Sequence, residues 1–518
     1  MGRYYLTTAI DYVNSVPHVG TSYEKILADV VARWKRLEGH EVFFLMGNDE
    51  HSQQVADKAR SLNLDTQAYC DQMEVKFRGT WKKLDVSFDR FIRTTEAPHY
   101  RACQEIFRRL QAKGDIRKAM YRGLYCIGCE ARKTEADLKD GRCPNHPDTP
   151  LKEMEEENYF FLLSKYAEPV RRLLERGEFV DPPFRKNEML GLLDKGFEDI
   201  SISRRTTRWG VPIPGDPEQV MYVWFDALIN YITAAGFPDD PERFGRLWPA
   251  DLHVIGKDIT KFHAIIWPAM LMGAGLEPPR KLAVHGFVYI GGKKVSKTET
   301  STDPQAAIMK DPIALADRFG ADTLRYFLLR EVAFGQDGEI SYEKLTTRHN
   351  SDLGDILGNL LNRIVSMTER YLGGVFSTTG VPLPQDVSLR DTVGGLADRI
   401  APLMNRFEFH TALGEIWKAA TATNGHIEAT APWKLAKAGK PDEVAGVLYQ
   451  SAEALRILAI LLAPFIPQTA RKILEQLGIP ECPLQLEKAR EWDYIRVGTR
   501  VQKGPVLFQK IDVRAEQL

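Results

Sequence analysis

Two short motifs, far apart in the sequence, carry side chains that could bind a triphosphate. The first places His18 and Gly20 in a turn-rich stretch between a strand-like run and a helical one. Such a turn lies where open α/β sheets bind ligands, and a helix N-terminus offers unpaired N–H groups to phosphate. The histidine could hydrogen-bond a phosphoryl oxygen, and the glycine allows close approach to the backbone.

The second motif is a glycine pair followed by a lysine-rich loop. Gly291 and Gly292 predict a turn, and Lys294 and Lys297 bring two ammonium groups to one place. Departing pyrophosphate builds up negative charge that such cations stabilise. Alone, the first motif is more often an ordinary turn, and the second is more often a solvated basic hairpin. One motif after the first strand and the other after a late strand together favour a shared nucleotide site.

The elements around these motifs alternate between strand and helix patterns. Ser22 to Leu37 has helical periodicity, with Ile26, Val30, Val31 and Trp34 on one side. This βαβ order predicts an α/β fold with a Rossmann-like parallel sheet. The other predicted elements of this sheet are strands at 4–10, 42–46, 251–255 and 281–284 and a helix at 259–272.

Four potential metal ligands form two close pairs. Two residues separate Cys126 from Cys129 and Cys143 from His146, and thirteen residues lie between the pairs. Each pair can turn tightly enough to present both side chains to one ion, and three thiolates with one imidazole make a closed tetrahedral Zn²⁺ site. The spacing predicts one structural zinc per chain. Two unrelated pairs in an irregular inserted loop are the alternative.

Length, charge and cysteine usage limit the class of protein. The 518 residues predict two to four domains, and a net charge of −1 means that any nucleic-acid contact rests on a local basic patch. Six cysteines, three of them clustered, favour a metal site in a reducing compartment. The N-terminus lacks a secretory pattern, and the most apolar stretch, 457–466, contains Pro464. We expect a cytoplasmic protein without a membrane span.

Together, the two phosphate motifs resemble the signatures of class I aminoacyl-tRNA synthetases. The resemblance implies that an amino acid reacts with ATP, accompanied by Mg²⁺, to give an adenylate, and that the acyl group then passes to a tRNA. It implies catalytic roles for His18, Thr21, Lys294 and Lys297. The first signature usually ends in histidine, and Thr21 keeps only a hydrogen-bond donor there. Val295 and Thr298 replace the usual methionine and serine of the second.

Four further segments, at 9–14, 49–51, 222–231 and 253–263, resemble methionyl-tRNA synthetases in the same order along nearly the whole chain. The resemblance implies that Asp49 meets the substrate ammonium, and that Tyr231 and His263 offer the sulfur a hydrogen-bond donor. ATP is expected at His18, Gly20, Gly256, Asp258 and Lys297. The implied methionine pocket comprises Ile10, Tyr12, Asp49, Trp224, Ala227, Leu228, Tyr231, Ile259 and His263. Leu228 stands where the family often has proline.

The C-terminal half is helical by pattern from about residue 346. Asn359 and Arg363 are four residues apart and therefore share a helix face. An amide, a guanidinium and an aromatic ring are what proteins use to bind unstacked RNA bases. From the residues alone, a capping amide, a surface cation and a core tryptophan are the preferred reading of Asn359, Arg363 and Trp433. The resemblance implies that they bind the methionine anticodon.

These patterns predict a catalytic domain interrupted by an inserted zinc knuckle and followed by an all-α anticodon-binding domain. The expected partners are ATP, L-methionine and tRNA(Met), and we expect a monomer. Other readings are a class I synthetase for leucine, isoleucine, valine or cysteine, a paralogue that only binds tRNA, or a small nucleotidylyltransferase. The predicted boundaries are 1–115 and 221–300 for the catalytic halves, 116–220 for the insertion, 301–345 for a stem-contact segment and 346–518 for the anticodon domain.

Overall fold

The computed structural model describes residues 2–127, 131–133, 138–144, 147–295, 304–377 and 383–512. The first 115 residues alternate strands and helices. Their strands are β1 (Arg3–Thr8), β2 (Asp11–Tyr12), β3 (Glu41–Asp49) and β4 (Arg90–Arg93). Their helices are α1 (Val19–Leu37), α2 (Gln53–Ser61), α3 (Thr66–Lys83) and α4 (Ala97–Ala112).

The next hundred residues are mainly antiparallel strands. The strands are β5 (Ile116–Cys126), β6 (Ala131–Lys133), β7 (Lys152–Phe161), β8 (Val180–Asp181), β9 (Ile200–Ser201), β10 (Ser203–Arg204), β11 (Pro212–Ile213) and β12 (Asp216–Met221). The helices are a 3₁₀ turn at Leu163–Tyr166, α5 (Ala167–Glu175) and α6 (Pro183–Asp194).

The α/β pattern then resumes. Its strands are β13 (Leu252–Gly256), β14 (Leu282–His285), β15 (Val288–Ile290), β16 (Lys293–Lys294) and β17 (Gly338–Glu339). Its helices are α7 (Val223–Ala235), α8 (Pro241–Leu247), a 3₁₀ turn at Lys257–Ile259, a π-helix at Phe262–Ile266, α9 (Trp267–Gly273), α10 (Pro304–Lys310), α11 (Pro312–Phe319), α12 (Ala321–Glu331) and α13 (Tyr342–Arg348).

The remaining chain is helical, as predicted. Its elements are a π-helix at His349–Gly358, α14 (Asn359–Leu372), α15 (Pro384–Gly394), α16 (Leu396–Asn405), α17 (Phe409–Thr430), α18 (Pro432–Lys437), α19 (Pro441–Leu462), α20 (Pro467–Gln476) and a 3₁₀ turn at Leu486–Ala489.

The predicted parallel sheet is confirmed. Its strand order is β2-β3-β1-β13-β14-β8, with β4 also paired to β3, and every pairing is parallel. The strands β1, β3, β13 and β14 therefore end at one edge of the sheet, where the predicted site residues follow them. Helix α1 begins at Val19 rather than Ser22, because its first turn is closed by a cap that apolar periodicity does not reveal.

Helix α1 is buried on more than its predicted face. Ile26, Val30, Val31 and Trp34 lie in the core as predicted. Polar residues Glu24, Lys25 and Asp29 are buried as well. Lys25 contacts Asp11, Glu24 contacts His285, and Asp29 pairs with Arg325 on α12. A helix covered on several sides needs partners for its charges as well as an apolar stripe.

The insertion has a regular base. Strands β5 and β7 pair antiparallel over ten positions, from Ile116↔Phe161 to Tyr125↔Lys152, in the order β6-β5-β7-β9. The sequence predicts an inserted zinc knuckle in this region but does not predict these regular strands. The acidic run that forms β7 conceals the strand, because it lacks the apolar alternation of a half-buried strand.

Helix α19 is the core of the helical half. It is long and apolar enough to span a membrane, but its most apolar window is entirely buried inside the protein. The apolar stretch around Ile457 is thus a buried helix, as predicted, and α19 ends at Leu462 before Pro464.

One buried guanidinium ties the helical half to the catalytic sheet. Arg325 on α12 is fully buried and lies 2.7 Å from the Asp29 carboxylate on α1. It also donates to the carbonyls of Phe465 at 2.8 Å and Pro464 at 2.9 Å, which connect α19 to α20. The other Asp29 oxygen accepts from the Ser87 amide at 2.7 Å. These contacts hold the nucleotide-side helix against the C-terminal helices.

Candidate active site

The first phosphate motif forms the N-terminal cap of α1. The imidazole Nδ1 of His18 accepts from the Thr21 amide at 3.2 Å. The Thr21 hydroxyl accepts from the His18 amide at 2.9 Å and donates to the His18 carbonyl at 2.7 Å. Because Nδ1 is an acceptor, the neutral ring carries its proton on Nε2 and can donate it outward. A side chain at Gly20 would crowd this ring, since its Cβ would lie 3.0 Å from two ring atoms.

The second motif meets the first. The Cβ of Val295 lies 3.9 Å from the position that a Cβ on Gly20 would occupy. Val295 is buried, and its amide donates to the Val288 carbonyl at 3.0 Å. The described part of the lysine loop therefore packs on the turn that holds His18. Lys297 lies outside the described residues.

Lys294 is held over an aromatic ring beside the predicted ribose ligand. Its Nζ lies 3.3 Å from the centre of the Phe287 ring and 3.5 Å from the Asp258 carboxylate. Lys257 approaches the same ring at 4.4 Å. At Gly256, a Cβ would lie 2.9 Å from an Asp258 oxygen, so the missing side chain leaves this carboxylate room. The structure thus brings together Gly256, Asp258 and Lys294.

The predicted methionine pocket has a hydrogen-bonded pair at its base. Nδ1 of His263 donates to the Ile259 carbonyl at 3.0 Å, so its Nε2 accepts from the Tyr231 hydroxyl at 2.8 Å. Burial lowers the pKa of His263 to about 4, so the ring is neutral near pH 7. The Tyr231 hydroxyl and the His263 Nδ1–H group each donate their proton to these partners. The predicted donation to the sulfur therefore requires one of these two hydrogen bonds to open.

Aromatic rings form another wall of the pocket. Trp224 stacks on Phe262 with 3.9 Å between ring centres, and Tyr12 meets Trp224 edge-on at 6.2 Å. A polarisable thioether packs well against such ring edges. Phe262 was not among the predicted pocket residues. Helix α7 carries Trp224 with the buried residues Ala227 and Leu228, and Ile10 and Ile259 are partly buried hydrophobic residues of the same core.

Asp49 ends β3 and is buried, as expected for a carboxylate that receives an ammonium group. The loop that follows it is fixed to α7. His51 Nδ1 lies 2.9 Å from the Asp226 carboxylate, and His51 Nε2 lies 3.1 Å from the Tyr100 hydroxyl. Burial alone would raise the pKa of Asp226, but His51 and His99 hold it below its usual range. This pairing aligns β3 with the helix that carries the pocket residues.

A chain of buried charges at the base of the site was not predicted. Lys25 on α1 contacts Asp11 and Glu24, and Glu24 contacts His285. Arg204 is a second unpredicted cation, buried with its guanidinium 4.1 Å from the Tyr222 ring centre. Neither pattern is visible in the sequence, because the partners come from distant segments.

Two of the four predicted zinc ligands can be placed. Cys126 ends β5, Cys143 follows a turn closed by Lys139 and Arg142, and both thiols are fully buried. Cys129 and His146 lie outside the described residues. Within the described residues, no three His, Cys, Asp or Glu side chains converge as a metal site. Two buried thiols on short turns fit the chemistry of a structural zinc site.

The insertion reaches the catalytic domain near the first motif. The Ile127 carbonyl accepts from Gln54 at 3.4 Å, and the Gln54 amide oxygen accepts from Asn14 at 2.8 Å. The cysteine-bearing end of β5 therefore lies against the loop that leads to His18.

Two predicted anticodon residues meet in the helical half. The Arg363 guanidinium lies 6.0 Å from the centre of the Trp433 ring, and it forms a 2.7 Å ion pair with Glu428. Asn359 is exposed one helical turn before Arg363. Trp433 follows Ala431, whose backbone is left-handed with φ 45° and ψ 64°. An exposed amide, a cation and an aromatic ring thus lie on one surface, 70 residues apart in sequence.

Comparisons with known proteins cover nearly the whole chain. The family described as "tRNA synthetases class I (M)" matches residues 4–151 and 128–365, and "Anticodon binding domain of methionyl tRNA ligase" matches residues 378–517. The methionine–tRNA ligase of Caldanaerobacter subterraneus subsp. tengcongensis is 43% identical over 99% of this chain and 80% of its own length. That of Synechocystis sp. is 38% identical over 99% of this chain and 98% of its own length.

Solved structures similar to this chain are also methionyl-tRNA synthetases. The Mycobacterium tuberculosis methionyl-tRNA synthetase in complex with methionyl-adenylate has a TM-score of 0.92 and 41% identity, covering 98% of this chain and 100% of that one. Its free form has a TM-score of 0.85 and 39% identity, covering 99% of both chains.

Proposed function

The chain belongs to the class I methionyl-tRNA synthetases, and we propose that it charges tRNA(Met) through the residues described above. The enzyme is a methionine–tRNA ligase: it activates L-methionine with ATP to methionyl-adenylate, with release of pyrophosphate, and transfers the methionyl group to the tRNA 3′ end. Family membership removes the other class I enzymes and the nucleotidylyltransferase from consideration. The contact between Val295 and the turn at Gly20 carries the proposal, because it unites both phosphate motifs.

The adenylation step follows from charge placement. His18 donates its Nε2 proton to a phosphate oxygen, with its tautomer fixed by the Thr21 amide. Thr21 acts through His18, because its hydroxyl serves the cap. Lys294 and Lys297 stabilise the departing pyrophosphate, and Mg²⁺ enters as the complex of ATP. Asp258 and Gly256 bind the ribose side, which requires Lys294 to leave the Asp258 carboxylate that it now approaches.

Methionine is bound by one charge and an aromatic wall. Asp49 accepts from the α-ammonium group in a site that excludes water, which strengthens the attraction. The thioether packs against the hydrophobic pocket residues, with the Tyr231–His263 pair closing its base. The proposed pocket comprises Ile10, Tyr12, Asp49, Trp224, Ala227, Leu228, Tyr231, Ile259 and His263.

ATP–pyrophosphate exchange across all twenty amino acids tests this function. We expect methionine to support exchange, and close apolar analogues to do so about 10- to 200-fold less well, as one methylene allows. Exchange with leucine, isoleucine or valine that matched exchange with methionine would contradict the proposal.

We propose one structural zinc per chain, bound by Cys126, Cys129, Cys143 and His146. When bound, it ties the end of the insertion together, and it supplies no water for catalysis. Elemental analysis of native protein should give about one zinc per chain. A matched pair of variants compares Cys126→Ser with the buried Cys482→Ser. Only the first should lose zinc, and full zinc content in Cys126→Ser would contradict this ligand set.

We propose that Asn359, Arg363 and Trp433 bind the anticodon. The proximity of Arg363 to Trp433 supports this, because a base can stack on the ring beside a guanidinium. Trp433→Ala should lower aminoacylation by about five- to 150-fold, since a stacked base contributes about 1–3 kcal/mol. Pyrophosphate exchange should stay within about twofold of wild type, a change of about 0.4 kcal/mol, because this reaction does not need the tRNA. Trp433→Phe is the matched control, and an equal loss of both activities in Trp433→Ala would assign the tryptophan a structural role.

The proposed domains are 1–115 and 221–300 for the catalytic halves, 116–220 for the insertion, 301–345 for the stem-contact segment and 346–518 for the anticodon domain. We further propose that the enzyme acts as a cytoplasmic monomer.

A further inference from the structure

A buried chain of alternating charges crosses the base of the site. The Lys25 ammonium lies 3.1 Å from the Asp11 carboxylate and 2.6 Å from one Glu24 oxygen. The other Glu24 oxygen lies 3.0 Å from His285 Nε2. The four side-chain groups therefore follow one another in space as carboxylate, ammonium, carboxylate and imidazole. No distance between neighbouring groups exceeds 3.1 Å.

Lys25 is the central link. Its side chain is fully buried, and its ammonium also donates to the Ala9 carbonyl at 2.7 Å. Three acceptors match the three protons of an ammonium group. Burial alone would raise the pKa of Glu24, but Lys25 and His285 lower it to about 2, so Glu24 is ionised near pH 7 and pairs with the Lys25 ammonium.

One end of the chain holds the methionine side. Asp11 belongs to β2, which pairs with β3 at Asn48 and Asp49. Lys25 contacts this segment at two points: it donates a hydrogen bond to the Ala9 carbonyl and forms an ion pair with the Asp11 carboxylate. The segment between and beside these contacts carries Ile10 and Tyr12. The position of two pocket residues therefore depends on the ammonium of Lys25.

The other end holds the nucleotide side. His285 ends β14 and donates from Nδ1 to the Gly286 carbonyl at 2.7 Å. A Cβ on Gly256 would lie 3.6 Å from its ring, so His285 abuts the proposed ribose site. Glu24 stands two turns into α1, the helix that His18 caps. Phe287, which contacts Lys294, follows His285 by two residues.

We propose that Lys25 is a positioning residue that couples the methionine pocket to the nucleotide site through Asp11, Glu24 and His285. This inference rests on the proposed function of both pockets. ATP at the proposed nucleotide site meets the N-terminal turn of α1 and the end of β14, and the Asp11–Lys25–Glu24–His285 contacts connect both to the Ala9–Tyr12 segment. Reciprocity requires that methionine tighten nucleotide binding by the same factor.

Calorimetric titration of methionine, with and without α,β-methylene-ATP, measures this coupling in the full-length enzyme. In wild type we expect the analogue to lower the methionine Kd by about five- to 150-fold, the usual range of coupling. Lys25→Met keeps the length of the side chain and removes the charge. It should bring the ratio of the two Kd values close to one and raise the KM for methionine in exchange more than it lowers kcat.

Two variants frame this result. Lys25→Arg keeps a cation between two carboxylates and should retain most of the coupling, which a purely steric role would not predict. Lys35→Met removes a lysine from the last turn of the same helix, where it pairs with Glu38, and should keep the wild-type ratio. A folded Lys25→Met enzyme with the wild-type ratio would overturn the proposal, as would a wild type without coupling.

If Lys25→Met does not fold, Asp11→Asn tests the coupling instead. It breaks the chain at its outer link and leaves Lys25 paired with Glu24. A reduced ratio in this variant supports the proposal, and an unchanged ratio overturns it. The function itself is tested separately, because a wild type that does not exchange pyrophosphate with methionine would contradict the function and not the coupling.

Discussion

Hydrogen bonds inside the site fix the protons of its two key histidines. His18 accepts at Nδ1 from the backbone, so its neutral ring carries the proton on Nε2. His263 donates at Nδ1 to the backbone and accepts at Nε2 from Tyr231. The same side chain is thus a donor at one end of the site and an acceptor at the other. In each case a main-chain group of the adjoining helical turn determines which ring nitrogen carries the proton.

Thr21→Val should loosen the cap that orients His18. The substitution keeps the branched shape and removes the hydroxyl that bonds the His18 amide and carbonyl. Loss of such a cap costs about 1 kcal/mol, which is about five- to tenfold in rate if it falls on the transition state. We expect kcat/KM for ATP in pyrophosphate exchange to drop by about this factor. Thr21→Ser restores the hydroxyl, and a Ser variant as impaired as the Val variant would refute the cap explanation.

The neutrality of His263 predicts a dependence of stability on pH. Its pKa is about 4 in the folded protein and about 6.5 when unfolded. Between these values the unfolded chain binds more protons, so stability is lost as the pH falls from about 6.5 to about 4. The loss from this residue is on the order of 3 kcal/mol. Thermal midpoints of wild type and His263→Gln across this range should differ in slope, and parallel curves would contradict a buried neutral ring.

At the scale of elements, irregular backbone coincides with the proposed sites. The predicted regular helix at 259–272 is a 3₁₀ turn, a π-helix and α9, and the π-helix carries His263. π-Helices often occur at functional sites, because the extra residue re-aims a side chain. Ala431 similarly leaves α17 in a left-handed conformation and turns the chain into α18, which presents Trp433.

Ala431→Gly should stabilise this turn. A left-handed conformation costs an L-residue about 1–2 kcal/mol and glycine almost nothing, although glycine also loses more entropy on folding. We expect a net gain below about 1 kcal/mol, seen as a higher thermal midpoint with unchanged aminoacylation. Ala436→Gly, inside α18, should destabilise instead, by about 1 kcal/mol. A lower midpoint for Ala431→Gly would show that the conformation is not strained.

Some elements were predictable because their information is local. Helix α1 and strands β1, β3, β13 and β14 follow from periodicity, and family resemblance placed His18, Asp258, Tyr231 and Trp433 in sites that the structure assembles. The pairing of Asp11 with Lys25, and of Glu24 with His285, was not predictable, because the last pair joins residues 261 positions apart. The π-helix was missed for the same reason, since tertiary contacts of His263 accompany it.

At the scale of the whole molecule, one buried guanidinium joins the catalytic sheet to the helical half. Asp29 belongs to the helix that His18 caps, and Arg325 joins it to the carbonyls that connect α19 with α20. Arg325 therefore connects α1 directly to the turn between α19 and α20. Charges buried in this way are stabilising only as a complete set.

Arg325→Met should destabilise the whole enzyme. It leaves the Asp29 carboxylate buried beside Arg33 alone, and breaking a buried pair costs about 3–5 kcal/mol. Arg471→Met breaks a half-exposed pair with Asp85 and should cost less than about 1 kcal/mol. Thermal midpoints of the two variants provide the comparison. Adding Asp29→Asn to Arg325→Met should recover part of the loss, and equal midpoints for the two single variants would contradict the argument.

The ties made by Arg325 also limit how this enzyme can be recombined. A graft of the helical half from a relative would replace the loop at Pro464 and Phe465 while keeping the host's Asp29 and Arg325. If the carbonyls of the grafted loop point in another direction, the buried Arg325 guanidinium loses hydrogen-bond acceptors that water cannot replace. Successful hybrids should therefore inherit α1, α12 and this loop from a single parent, whichever parent supplies the anticodon surface.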